Sequence, residues 1–72
     1  MQVGIHLSPA FRMPHLQNSE FEVAEGTTIR SLCRQVGIKN IGFTVIDGRV
    51  VTAEHELSDG EQIYFLPNVG GG

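Results

Sequence analysis

The sequence closes on Val69-Gly70-Gly71-Gly72, and these residues carry the chemistry that the chain has to offer. Consecutive residues without a Cβ hold no packed structure of their own, because glycine loses more backbone entropy on ordering than any other residue. Such a stretch suits a partner that closes around bare backbone, or a reaction at a terminal carboxylate. A frayed end without function reads the same in isolation, so the residues ahead of the glycines decide between the two.

Other side chains compete poorly for a chemical role. Cys33 falls on the apolar face of an expected helix and is expected in the core rather than as a reactive thiol, which needs partial exposure in an electropositive setting. His6, His15 and His55 are far apart, lack metal-ligand spacing and read as ordinary surface histidines. Glu20/Glu22 and Glu54/Glu56 project to one side if their segments are strands, and read as solvated faces rather than a catalytic dyad. Asp47-Gly48 and Asp59-Gly60 are turns, not phosphate loops. No pocket-sized interior and no active site are expected: the chain is not an enzyme by this reading, and no cofactor or metal is expected to be bound.

At 72 residues the chain makes one small domain, of a size that buries only about 60% of its unfolded surface. Its 40% hydrophobic content excludes disorder. The single cysteine forbids an internal disulfide or a cysteine zinc cluster, so a reducing, cytoplasmic setting is expected. Net charge is −3 and the five basic residues form no run, which argues against nucleic acid; no apolar stretch is long enough for a membrane. Lys39 is the only lysine, which leaves one side-chain amine for conjugation.

The positioning elements follow from periodicity. Val3, Ile5 and Leu7 alternate with polar or small residues, as do Phe21 and Val23, which predicts two strands with Val3, Ile5, Phe21 and Val23 on the core face. Residues 8–18 read as a loop anchored by Phe11 and Leu16. Ile29, Leu32, Cys33 and Val36 share one helical face, with Thr27 or Thr28 as N-cap and Gly37 as the stop. Asp47-Gly48-Arg49 between Phe43–Ile46 and Val50-Val51 predicts a hairpin, since Asp and Gly accept positive φ; which of Thr44, Val45 and Ile46 face inward is left open. Residues 52–58 cross over with Leu57 as anchor. Ile63 and Phe65 mark the last strand, which Pro67 ends. A ββαββ(loop)β order with one amphipathic helix predicts an α+β fold: a β-grasp, or ubiquitin-like, roll with a mixed four- to five-stranded sheet. The helical crossover demands a parallel pair, placed between the first and last strands. The domain is expected over 1–67, with 68–72 as a flexible glycine tail.

Three segments then carry a family resemblance: the helix entry Glu25-Gly26-Thr27-Thr28-Ile29-Arg30-Ser31-Leu32, the approach Leu57-Ser58-Asp59-Gly60-Glu61-Gln62-Ile63, and Phe65-Leu66-Pro67-Asn68-Val69-Gly70-Gly71-Gly72. Over nearly its whole length the chain resembles the ubiquitin-like sulfur carriers of the ThiS/MoaD group, the thiamine-biosynthesis carrier and the small subunit of molybdopterin synthase. The long 8–18 connection echoes the molybdopterin type. The short Gly37–Gly42 segment departs from it, as does Asn68 where that type commonly has a second proline.

A carboxylate is a poor electrophile and needs a leaving group before sulfur can be attached. The resemblance implies that an ATP-using activating enzyme adenylates Gly72, that sulfur from a donor enzyme displaces AMP to leave a thiocarboxylate, and that a synthase accepts the sulfur in thiamine or molybdopterin biosynthesis. ATP belongs to the partner. Gly70 and Gly71 then supply clearance for threading, and five extended residues past Pro67 reach roughly 17 Å. Tyr64 and Leu66 point outward if Ile63 and Phe65 point inward, and form a docking patch beside the tail, unless Leu66 only covers a sheet edge. Two alternatives use the same sequence: a protein modifier conjugated through Gly72, and a non-covalent β-grasp interaction module whose tail is incidental.

Overall fold

The computed structural model describes residues 1–68, so Val69, Gly70, Gly71 and Gly72 lie outside the described residues, and with them the expected modification and threading positions. The elements run β1 (Gln2–Leu7), two short 3₁₀ turns (Pro9–Phe11 and Pro14–Leu16), β2 (Asn18–Glu22), α1 (Ile29–Val36), β3 (Ile41–Ile46), β4 (Arg49–Val51) and β5 (Gln62–Pro67). They build a five-stranded mixed sheet in the order β2-β1-β5-β3-β4, the β-grasp arrangement, with one α-helix against one face.

The period-two pattern of β1 and β2 becomes an antiparallel pair in which Val3 meets Phe21 and Ile5 meets Ser19. β5 runs parallel to β1, with Ile5 opposite Ile63 and Leu7 opposite Phe65. Its other edge pairs antiparallel with β3, so β5 is the central strand. The expected loop at 8–18 is instead folded into the two 3₁₀ turns, each opened by a proline, and Leu16 from the second is buried.

Helix α1 begins where its cap permits. Thr28 is extended, and its hydroxyl accepts a hydrogen bond from the Ser31 N–H at 3.2 Å, relieving one unpaired first-turn donor. Thr27 is not the cap; its hydroxyl donates to the Ala24 carbonyl. Gly37 ends the helix at φ 79°, and its N–H returns to the Cys33 carbonyl. The helix presses Ile29 and Leu32 onto Val3, Ile5, Ile63 and Phe65, all nearly inaccessible.

At the β3–β4 turn, Asp47 (φ 53°) and Gly48 (φ 74°) both occupy the left-handed region, and Ile46 pairs with Arg49, as a two-residue hairpin turn requires. Fixing that turn settles the orientation left open above. Thr44 and Ile46 are buried against the core, whereas Phe43 lies exposed on the other face.

Candidate functional site

The outer face of the sheet is the face α1 does not cover, and β5 brings the tail's origin to its centre. Tyr64 and Leu66 alternate with buried Ile63 and Phe65, so both project outward. Leu66 is paired with Phe43, and Tyr64 with Val45 on one side and His6 on the other. β5 is the central strand, so Leu66 projects from the middle of the sheet and not from an edge strand. Four large apolar side chains stay open to water: Val50 (65% exposed), Phe43 (57%), Tyr64 (48%) and Leu66 (44%). A small domain gains little in folding from such a cluster, and contiguous exposed apolar surface is the kind that interaction sites use.

His6 is more than an ordinary surface histidine. Its ring stacks on Tyr64 with centroids 4.5 Å apart and planes 15° from parallel. Its Nδ1 lies 2.8 Å from Asn18 Oδ1 and its Nε2 2.7 Å from Gln62 Oε1. Gln62 reaches the ring by lying across Gly4, where a Cβ would sit 2.1 Å from Gln62 Oε1. The bare strand at Gly4 thus lets a polar bracket hold the histidine, and the histidine hold the Tyr64 ring. His55 is also engaged, with Nε2 3.3 Å from both carboxylate oxygens of Glu61. Among the described residues no group of His, Cys, Asp and Glu is arranged to hold a metal.

The base of the tail is built by backbone. β3 carries an irregularity between Ile41 and Phe43, and Asn40 just before it takes φ 60°. The Asn68 N–H donates to the Asn40 carbonyl at 3.1 Å. A Cβ on Gly42 would stand 2.6 Å from the Pro67 carbonyl oxygen and 3.0 Å from Asn68 Cα. Gly42 therefore allows the end of β5 to lie directly on β3, which sets the direction in which the chain leaves the sheet.

Two expectations need correction. Cys33 does not belong to the sealed core: it is half-buried and lines an open trough between α1 and the β3–β4 hairpin. Burial still pushes its thiol up to about 11, which keeps it protonated and unreactive at neutral pH. That trough, of about 550 Å³, is also a pocket where none was expected. Glu54 stands on a solvated face as expected and pairs there with the Arg30 guanidinium, and the hydrogen bond and then the charge of Arg30 hold its carboxyl below the usual range.

Sequence reasoning oriented Tyr64 and Leu66 outward, as they stand, but did not join Phe43, Val50, His6 or Gly42 to them. Phe43 was within reach, since it shares parity with Val45 once the Asp47-Gly48 turn is in place. Nothing local marks Gly42 or His6: Gly42 meets Pro67 and Asn68 at the end of β5, and His6 is held by Asn18 in β2 and Gln62 in β5.

Comparisons with known proteins complete the description. The family model described as "ThiS family" matches residues 10–72. No curated protein matches the sequence. Among solved structures, a putative molybdopterin converting factor, subunit 1, from Pyrococcus furiosus superposes with a TM-score of 0.76 at 18% identity, covering 96% of this chain and 99% of that one. SAMP1 from Haloferax volcanii superposes with a TM-score of 0.75 at 12% identity over the full length of both. At these identities the two structures speak for the shared fold.

Proposed function

The chain belongs to the ThiS family of ubiquitin-like sulfur carriers, and on that premise we propose that it carries sulfur as a C-terminal thiocarboxylate on Gly72. The observation that carries the reading is that the family match runs through the glycine run to Gly72. In this scheme a Gly72 carboxylate oxygen attacks the α-phosphorus of ATP bound by a partner enzyme, and pyrophosphate leaves. A sulfide-level nucleophile then attacks the acyl carbon, the C–O bond to AMP breaks, and the thiocarboxylate remains without net redox change. Gly70 and Gly71 offer bare backbone to the partner's channel, where displacements of about 1 Å cost on the order of 100-fold in rate. The outer-face cluster of Tyr64 and Leu66, widened by Phe43 and Val50, is the docking surface of the adenylating enzyme, and of the sulfur-accepting synthase in its turn. Thiamine and molybdopterin biosynthesis are the pathways this family suggests for the acceptor.

The test is an intact-mass measurement. The chain is incubated with ATP, sulfide and an adenylating enzyme captured from the source cells on the wild-type chain. Conversion of a terminal carboxylate to a thiocarboxylate adds about 16 Da, and a chain lacking Gly71 and Gly72 gains nothing. No mass gain with an enzyme that demonstrably adenylates the wild-type chain overturns the sulfur-carrier reading. Tail-dependent, high-mass conjugates in lysates would favour the modifier reading in its place.

A further inference from the structure

A second surface lies between α1 and the β3–β4 hairpin, and at its margin it reaches Phe43 and Val50 of the outer-face cluster. α1 covers the sheet's centre but stops short of the β3–β4 hairpin, leaving an open trough of about 550 Å³. Its apolar lining includes Ile29, Cys33, Ile41 and Val51, with Phe43 and Val50, which also belong to the outer-face cluster, at its margin. Three of the chain's five basic residues, Arg30, Arg34 and Lys39, also line it, and no Asp or Glu does. Arg30 is already paired with Glu54, whereas Arg34 and Lys39 take part in no ion pair among the described residues. In a chain of net charge −3 this is a local reversal of sign. A cationic rim over an apolar floor raises the local concentration of anionic, apolar ligands.

We infer that this trough receives an extended peptide segment of a partner protein, one that sets acidic residues beside apolar ones. Two features select a peptide over a small apolar acid. The trough is open along its length, so a small ligand would leave much of its own surface in water, while a protein segment carries its own cover. β4 forms one wall through Val50 and Val51 and is the last strand on that side of the sheet. An edge strand of this kind is open to pairing with an added extended segment. The inference does not depend on sulfur transfer at Gly72, and its test reads binding alone.

A phage-displayed library of random peptides is panned against the full chain, and the dominant sequence is synthesised and titrated into ¹⁵N-labelled protein. Recovered sequences should place Asp or Glu next to Val, Ile, Leu or Phe, with amide shifts concentrated at 38–44 and 50–53. The double variant Arg34→Glu/Lys39→Glu changes only exposed side chains and should weaken binding by about tenfold or more; Arg34→Gln/Lys39→Gln should give a smaller loss. Recovery of no binder, sequences without acidic enrichment, unchanged binding to the Glu double variant, or amide shifts centred on Tyr64 and Leu66 with none at 38–39 would each overturn the inference. So would displacement of the peptide by decanoate at comparable concentration, since that result assigns the trough to small carboxylates.

Discussion

The two faces of the sheet are apolar for different reasons. On the inner face, Val3, Ile5, Ile63 and Phe65 are sealed beneath α1 and hold the domain together. On the outer face, Tyr64, Leu66, Phe43 and Val50 form a comparably apolar group with nothing over it. An antiparallel sheet with one solvated side normally alternates apolar-in with polar-out. β1 and β2 obey that rule, with Asn18, Glu20 and Glu22 exposed; β3 and β5 break it where the tail begins. Exposed apolar surface brings association risk without folding stability, and its position beside Pro67 and Asn68 suits the docking role proposed above.

The sharpest way to break this comparison is to truncate one residue from each face. Phe65→Ala should destabilise the domain by about 3–5 kcal/mol, close to the whole stability of a small domain, seen as loss of the cooperative urea transition. A loss below 1 kcal/mol would mean the inner face is not the structural one.

Cys33 tests the boundary between sealed core and open trough. With its thiol raised to about 11, its thiolate population at pH 8 is roughly 100-fold below that of a free cysteine, and iodoacetamide should react correspondingly slowly. The sign for stability follows. Above the unfolded thiol pKa of about 8.5 the unfolded chain holds fewer protons than the folded one, so stability falls as pH rises from there through 11. Alkylation at the rate of an unfolded control would show that the trough opens more than the fold implies.

Tyr64→Ala and Leu66→Ala supply the converse of Phe65→Ala. Each should leave stability within about 0.5 kcal/mol while weakening capture of the adenylating enzyme by about tenfold, measured by titration calorimetry. Loss of stability without loss of binding would return both residues to a structural role.

Gly42 sits where β3 and the end of β5 meet. Gly42→Ala forces a Cβ onto the Pro67 carbonyl, and should cost about 1 kcal/mol with a displaced Asn68 amide resonance. An unmoved Asn68 resonance would show that Gly42 has no hand in directing the tail.

The smallest effect belongs to Ser19, whose hydroxyl is buried on the inner face opposite Ile5 without a hydrogen-bond partner among the described residues. Ser19→Ala should raise stability by about 0.5 kcal/mol. Destabilisation by heat or urea would indicate that the hydroxyl has a partner after all.

Local pattern made much of this molecule legible. Alternation at Val3–Leu7 and Ile63–Phe65, helical spacing from Ile29 to Val36, the Thr28 and Gly37 caps and the Asp47-Gly48 turn are short-range signals, and each places its element in the observed fold. They also oriented Tyr64 and Leu66, because side-chain direction in a strand follows parity alone. The glycine run was legible as residues, and its chemistry rests on family likeness rather than on any geometry described.

What only the tertiary structure decided is every relation that joins distant segments. Placing β5 between β1 and β3 put Phe43 beside Leu66 and His6 beside Tyr64, turning two outward residues into a surface. The same packing left α1 short of the hairpin, so Cys33, Arg34 and Lys39 border a trough that helical periodicity alone assigns to core and solvent. Sequence specifies direction along one strand or helix, since that depends on backbone geometry a few residues long. Neighbours across a sheet depend on chain topology, which no single segment contains.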